Sequence, residues 1–198
     1  MERIDAALPS SLDRAVQLLR QGEIVAYPTE TVYGLGVDPF NVDALERLFA
    51  AKGRAREKAI LLIVDSLDQL DGVTTHIPTR AKAMMESFWP GPLSILLPKH
   101  PKLPEAIAPG LDRICVRCPG SAIARQLCSA FGGPLTSTSA NASGEEAVLD
   151  LADLHLPGVA LGLDGGRLPA SAPSTIVDGV SGAILREGAI GRDQLAGH

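Results

Sequence analysis

Side chains able to stabilise anionic oxygen are gathered at a few points of this 198-residue chain. Lys52, Arg54, Arg56 and Lys58 fall within seven residues. Lys52 and Arg54, one glycine apart, offer an ammonium point charge and a planar guanidinium fork to neighbouring oxygens of a polyphosphate. Glu57 in the same segment leaves a second reading open, a solvated charged face. Arg117 stands in the otherwise apolar run Ile114-Cys115-Val116-Arg117-Cys118, and Arg186 repeats the pattern in Ile184-Leu185-Arg186. A strand-borne arginine needs an acidic partner, Glu30 or Glu187 for example, or an open cavity. Two such arginines, the run Thr136-Ser137-Thr138-Ser139-Ala140-Asn141 and the basic segment together describe a site for a ligand with several negative groups.

Other chemistries lack their residues. There is no G-x-x-x-x-G-K-[ST] loop, no G-x-G-x-x-G opening a helix, no H-E-x-x-H and no G-x-S-x-G elbow. The four histidines are scattered without a triad or ligand spacing. Cys115 and Cys118 form a C-x-x-C, but on a strand residues three apart face opposite sides, and Cys128 offers no second pair, which argues against zinc or a disulfide. The net charge of −5 and 4% aromatic content argue against a general nucleic-acid surface, while a local basic cavity remains compatible with them. No apolar run is long enough to span a bilayer and Met1-Glu2-Arg3-Ile4-Asp5 lacks a signal-peptide core, so a cytoplasmic location is expected.

The elements that must position these groups follow from periodicity and punctuation. Ile24-Val25-Ala26-Tyr27 reads as a buried strand stopped by Pro28, followed by the hydroxyl-rich loop Thr29 to Gly36, where Gly34 and Gly36 permit tight turns or close approach to a ligand. Before it, a helix capped by Ser10 or Ser11 runs to Gly22; after it, a helix introduced by Pro39 and Asn41 ends at Gly53 and releases the basic segment. Ala59 to Val64 has the continuous apolar character of a central strand. A helix at Thr79 to Phe88, a Trp89-Pro90-Gly91-Pro92 turn and strands at Leu93 to Leu97 and Ile114 to Cys118 follow. Pro98 to Asp112 reads as a surface excursion, and Ser121 caps the next helix. Leu135 begins a strand that turns polar; then come a weak helix near Leu149 to Leu154, a strand at Val159 to Leu163 and a terminal hairpin from Ser174 to Arg186. Together these predict one α/β domain over 1–198, core about 12–190, with a mixed sheet flanked by helices.

Tyr27-Pro28-Thr29-Glu30-Thr31-Val32-Tyr33-Gly34-Leu35-Gly36, Lys52-Gly53-Arg54, Trp89-Pro90-Gly91-Pro92, Val116-Arg117, Ser137-Thr138-Ser139-Ala140-Asn141 and Pro173-Ser174-Thr175-Ile176-Val177-Asp178 stand in the order seen in the YrdC-like family. The chain resembles in particular that family's threonylcarbamoyl-AMP synthases, from about Leu12 to Ile190. The resemblance implies an open α/β fold with a twisted mixed sheet and a concave basic cavity. It also implies a nucleotidyltransferase reaction: L-threonine, bicarbonate or CO2 and ATP with Mg²⁺ give threonylcarbamoyl-AMP and pyrophosphate. A separate tRNA-modifying transferase complex then uses the adenylate on the adenosine beside the anticodon. Direct tRNA contact would be weak and salt-sensitive.

By motif, the resemblance gives Lys52 and Arg54 the catalytic role and directs Lys52, Arg54, Lys58, Ser139, Asn141 and Arg186 to ATP. It directs Thr31, Arg117, Ser137 and Ser174 to threonine, Arg117 through the carboxylate. It leaves Mg²⁺ to phosphate and water ligands, since no paired carboxylates appear where the motifs converge. This chain has Lys58-Ala59-Ile60 where many relatives read Asn-Pro-Leu, and Leu62-Ile63-Val64-Asp65 where some longer members place a histidine. It ends at His198, short of those members' extra domain. Alternative readings are a non-synthase paralogue and an RNA-binding module.

Overall fold

Apolar residues on both parities of Ile24-Val25-Ala26-Tyr27-Pro28 force strand β2 (Ile24–Pro28) to be covered on both faces. In the computed structural model, which describes residues 1–53 and 55–198, this is the arrangement found. Ile24 and Ala26 enter one hydrophobic cluster, while Val25 and Tyr27 enter a second, packed under helices α1 (Pro9–Arg20) and α4 (Ala122–Phe131). The expected α/β class with mixed pairing holds, but the strands are divided between two sheets.

The first sheet has the order β1-β9-β2-β3-β8, with β1 (Glu2–Asp5), β3 (Tyr33–Gly36), β8 (Thr138–Ser139) and β9 (Val159–Asp164). The parallel strand β9 lies between β1 and β2. The second has the order β11-β10-β5-β6-β4-β7, with β4 (Leu62–Ile63), β5 (Leu93–Pro98), β6 (Arg113–Arg117), β7 (Leu135–Thr136), β10 (Thr175–Asp178) and β11 (Ile184–Arg186). Between β7 and β8 only Ser137 intervenes, so the chain passes from one sheet to the other across a single residue. The crossing is pinned on both sides. Tyr27 Oη donates to Thr136 O at 2.8 Å, Val37 N donates to Thr136 Oγ1, and Ser137 N donates to Leu61 O.

Several local expectations change. Tyr33 to Gly36, read as loop, is a strand, because Thr29 makes the turn with its own side chain. Its Oγ1 accepts from Thr31 N and Val32 N and donates to Val32 O, closing a tight β2–β3 hairpin. Pro9 starts α1 in place of a serine cap, and Ser11 Oγ instead donates to the carbonyls of Ala6 and Leu8. The paired part of Ala59 to Val64 shrinks to Leu62–Ile63, although Ile60 and Val64 continue backbone bonding to Ile107 and Arg117. The expected helix near Leu149 is a short 3-10 turn, Leu151–Asp153. Strand β1 carried no apolar alternation to announce it, being an exposed edge held partly by Arg3 and Asp164, 2.6 Å apart.

Helix α2 (Val42–Lys52) is built as expected. Asn41 Oδ1 accepts from Ala44 N at its start, and Gly53 closes it in the left-handed region at φ 56. Gly36 serves a close approach: a Cβ there would lie 2.7 Å from Tyr27 Cε1 on a fully buried ring. Gly36→Ala is therefore expected to destabilise the fold by about 1–3 kcal/mol through overpacking, read as a lowered urea midpoint with an unchanged slope.

Candidate functional site

The seam between the two sheets opens into a cavity of about 620 Å³. The first sheet and its β2–β3 turn contribute Thr31, Gly34 and Ser139; the second contributes Ser94, Cys115, Arg117 and Ile176; Ser137 comes from the crossing itself. Ser174 and Arg186 complete the far wall. Strand alternation explains much of this, since Ser94 and Leu96 on β5 and Cys115 and Arg117 on β6 share the face turned to the seam.

Arg117 ends β6 and is 3% exposed. Its Nη1 lies 3.7 Å from Glu30 Oε1 and donates to Thr31 Oγ1 at a long 3.5 Å. Of the two acidic partners open from the sequence, Glu30 is the one present. Thr31 Oγ1 is also 3.0 Å from Thr29 Oγ1, so the hairpin turn supplies a chain of hydroxyls beside the guanidinium. Arg186 is different. It sits on the edge strand β11, exposed, and its Nε and Nη2 donate to Ser174 O at 3.1 and 2.7 Å. The expectation of a second arginine enclosed in an apolar strand is thus corrected, because an edge strand leaves one side open to water. Arg186 Nη2 also donates to Ser174 Oγ, which lies 2.9 Å from Ser94 Oγ.

A second cavity, about 780 Å³, adjoins the first and includes Lys52, Asn141 and Arg167 in its wall; Ala147 borders both. Lys52 closes α2 at 2% exposure, with Nζ donating to the carbonyls of Ser139 and, at 2.6 Å, Asn141. Asn141 Nδ2 donates to Ala142 O and Glu145 O, while its Oδ1 is buried without a hydrogen-bond partner among the described residues. Lys58 is exposed on a turn and borders neither cavity, and the neighbouring Arg56 pairs with Glu46. Arg54 lies outside the described residues.

The structure therefore brings Thr31, Arg117, Ser137, Ser139, Ser174 and Arg186 to one cavity, puts Lys52 and Asn141 on its neighbour and leaves Lys58 outside both. Sequence reasoning passed over Ser94 and Cys115 as site residues. For Ser94 the signal was a lone hydroxyl in the apolar run Leu93-Ser94-Ile95-Leu96-Leu97. The thiols are poor nucleophiles: burial pushes Cys115 up to about 12 and Cys118 up to about 11. Cys118 Sγ donates to Asp65 O, and no group of three or more His, Cys, Asp and Glu suited to a metal occurs among the described residues. No helix among them is long and apolar enough to cross a membrane.

The chain is similar to proteins of known name. The Sua5/YciO/YrdC family model, described as "Telomere recombination", matches residues 17–188. A Coxiella burnetii protein named threonylcarbamoyl-AMP synthase is 38% identical over 179 residues, 89% of this chain and 96% of that one. Among solved structures, Pyrococcus abyssi Sua5 complexed with L-threonine aligns at a TM-score of 0.87 and 32% identity, covering 94% of this chain. The alignment spans 57% of the Pyrococcus chain, a little over half its length. Escherichia coli YciO aligns at a TM-score of 0.82 and 25% identity over 98% of this chain and 96% of that one. With its hairpin turn, its sheet crossing and its arginine-bearing strand all inside the matched span, this chain belongs to the Sua5/YciO/YrdC family.

Proposed function

We propose that this protein is an L-threonylcarbamoyladenylate synthase, a nucleotidyltransferase acting on L-threonine, bicarbonate or CO2 and ATP. The observation that carries the reading is the convergence of Thr31, Arg117, Ser137 and Ser174 on one cavity wall. Relatives named for this activity, and a relative complexed with L-threonine, support it.

Arg117 takes the substrate carboxylate through its fork, and the hydroxyls of Thr31, Ser137 and Ser174 orient the amino acid. The threonine nitrogen forms its bond to CO2 and releases a proton, giving a carbamate. A carbamate oxygen then attacks the α-phosphorus of ATP, and the bond to the β-phosphate oxygen breaks with its electron pair leaving on pyrophosphate. Such a displacement asks mainly for alignment and charge stabilisation, in keeping with a lining of guanidinium and hydroxyl groups. Arg54 and Arg186 meet the phosphates as cations, with Ser139 and Asn141 as hydroxyl and amide contacts. Lys52 acts on the same wall by holding the Ser139 and Asn141 carbonyls to the end of α2.

Asn141 Oδ1, without a partner among the described residues, is an oxygen of the kind a hydrated Mg²⁺ accepts, and the lack of a carboxylate cluster among those residues suits a cation carried by the nucleotide. When bound, Mg²⁺ neutralises phosphate charge. The adenylate product is consumed by a separate transferase complex modifying the tRNA adenosine beside the anticodon. Contact of tRNA with this chain is weak, in line with the net charge of −5, and the site of action is the cytoplasm.

Pyrophosphate release from ATP and Mg²⁺ in bicarbonate buffer is expected only with L-threonine, falling to background when threonine or bicarbonate is omitted and by roughly tenfold or more with L-valine, which lacks the hydroxyl. Release that ignores threonine, or none in any mixture from folded protein, would count against the synthase reading.

A further inference from the structure

Glu30 stands out among the described residues: both carboxylate oxygens are buried and neither has a hydrogen-bond partner. Arg117 Nε is in the same condition, and Arg117 Nη1 and Glu30 Oε1 meet only at 3.7 Å. A carboxylate withdrawn from water without hydrogen bonds is costly, so the arrangement calls for a reason. The same strand shows what a closed structural pair looks like. At the other end of β6, Arg113 Nη1 donates to both oxygens of Asp178, at 3.2 and 3.0 Å. Glu30 instead supplies compensating charge while leaving the donors of Arg117 largely uncommitted.

Its position is also enforced from outside. A Cβ at Gly120 would stand 3.4 Å from Glu30 Cγ, in ordinary van der Waals contact, so the Gly120 backbone runs close beside the Glu30 stem. Ser121 Oγ donates to Pro28 O at 2.8 Å, tying the hairpin turn to the start of α4. Glu30 itself does not line the cavity, whereas Thr31 and Arg117 do.

We propose that Glu30 is a positioning residue for Arg117: from behind the cavity wall it holds the guanidinium by charge, leaving its donors for the carboxylate of the amino-acid substrate. This rests on the threonine reading of the cavity. It separates two tasks that one arginine cannot meet alone, since an unpaired buried guanidinium would be unstable and a fully paired one would have nothing left to offer.

The test compares wild type, Glu30→Gln and Glu30→Asp in threonine-dependent pyrophosphate release, with KM for L-threonine and for ATP measured separately. Glu30→Gln is expected to raise the threonine KM by about tenfold or more, with ATP KM and kcat within about twofold, a split that general loosening of the fold would not produce. Glu30→Asp, which keeps the charge on a shorter stem, is expected to raise it by about threefold, a partial rescue. In an Arg117→Ala background, Glu30→Gln is expected to add less than about twofold, because its effect runs through the missing guanidinium. A threonine KM in Glu30→Gln within about twofold of wild type overturns the proposal, as does a further tenfold loss in the Arg117→Ala background. Should Glu30→Gln fail to fold, an Asp variant within about twofold of wild type overturns it equally. Wild-type protein that neither binds L-threonine in calorimetry nor releases pyrophosphate overturns the cavity reading itself and this proposal with it.

Discussion

Arg117→Ala is expected to lower kcat/KM for L-threonine by about a hundredfold or more while leaving the ATP KM within a few-fold. Removing one partner of a desolvated, hydrogen-bonded charge pair costs about 2–5 kcal/mol, and each 1.4 kcal/mol is about tenfold. The side chain is 4% exposed, so little of that interaction is lost to water. Stability moves as well. Without the guanidinium, Glu30 keeps its burial and loses its counter-charge, an effect of about 3–5 kcal/mol for a well-paired buried bridge. The 3.7 Å separation and the 22% exposure of the Glu30 side chain place this case at the lower end. Unfolding in urea and turnover therefore need to be read on the same samples. Arg117→Lys separates the contributions, since it keeps a positive charge and loses the planar fork; it is expected to recover stability more fully than activity. A folded Arg117→Ala protein with wild-type threonine kinetics would sink the assignment of this arginine to the substrate.

The second large effect is expected at Lys52, where Lys52→Met preserves much of the aliphatic stem and deletes the ammonium. Two backbone carbonyls, Ser139 O and Asn141 O, lose a charged donor inside the protein, a change of about 2–4 kcal/mol given the cost of leaving such acceptors short. The consequence reaches past stability. Ser139 and Asn141 lie on the boundary between the two cavities, and Asn141 Oδ1 has no partner among the described residues to fix it independently. Loosening this strand end is expected to raise the ATP KM by about tenfold or more, with a smaller change for threonine. Unfolding midpoints equal to wild type would show that the tie contributes nothing to stability, and an unchanged ATP KM would separate it from nucleotide binding.

What was legible in the sequence follows from the range over which each signal acts. The helices at Val42–Lys52 and Ala122–Phe131 announced themselves through Asn41, Gly53 and Ser121, whose capping bonds are local. Arg117 stood out because a guanidinium in an apolar strand contradicts its neighbours. Strand β1 and the division into two sheets depend on pairings between residues far apart in the chain, and period-2 reading of one segment carries no information about its partner. Tyr33 to Gly36 was misread because glycines usually punctuate; here Gly36 makes room for the Tyr27 ring within a hairpin whose turn is made by a threonine. Arg186 shows the converse limit, as nothing in Ile184-Leu185-Arg186 reveals that its strand is the last in the sheet.

The place of β9 between β1 and β2 bears on how the chain is made. During synthesis β1 and β2 emerge well before the strand that joins them, Val159–Asp164. Strand β5 likewise waits for Thr175–Asp178. Until those strands arrive, β2 and β5, both rich in buried apolar residues, present open backbone edges, the condition under which nascent chains pair with the wrong neighbour. Truncations ending before Val159 should therefore be held by chaperones or aggregate, and the stretch from Val159 to Asp178 becomes the part whose arrival licenses folding of the strands before it.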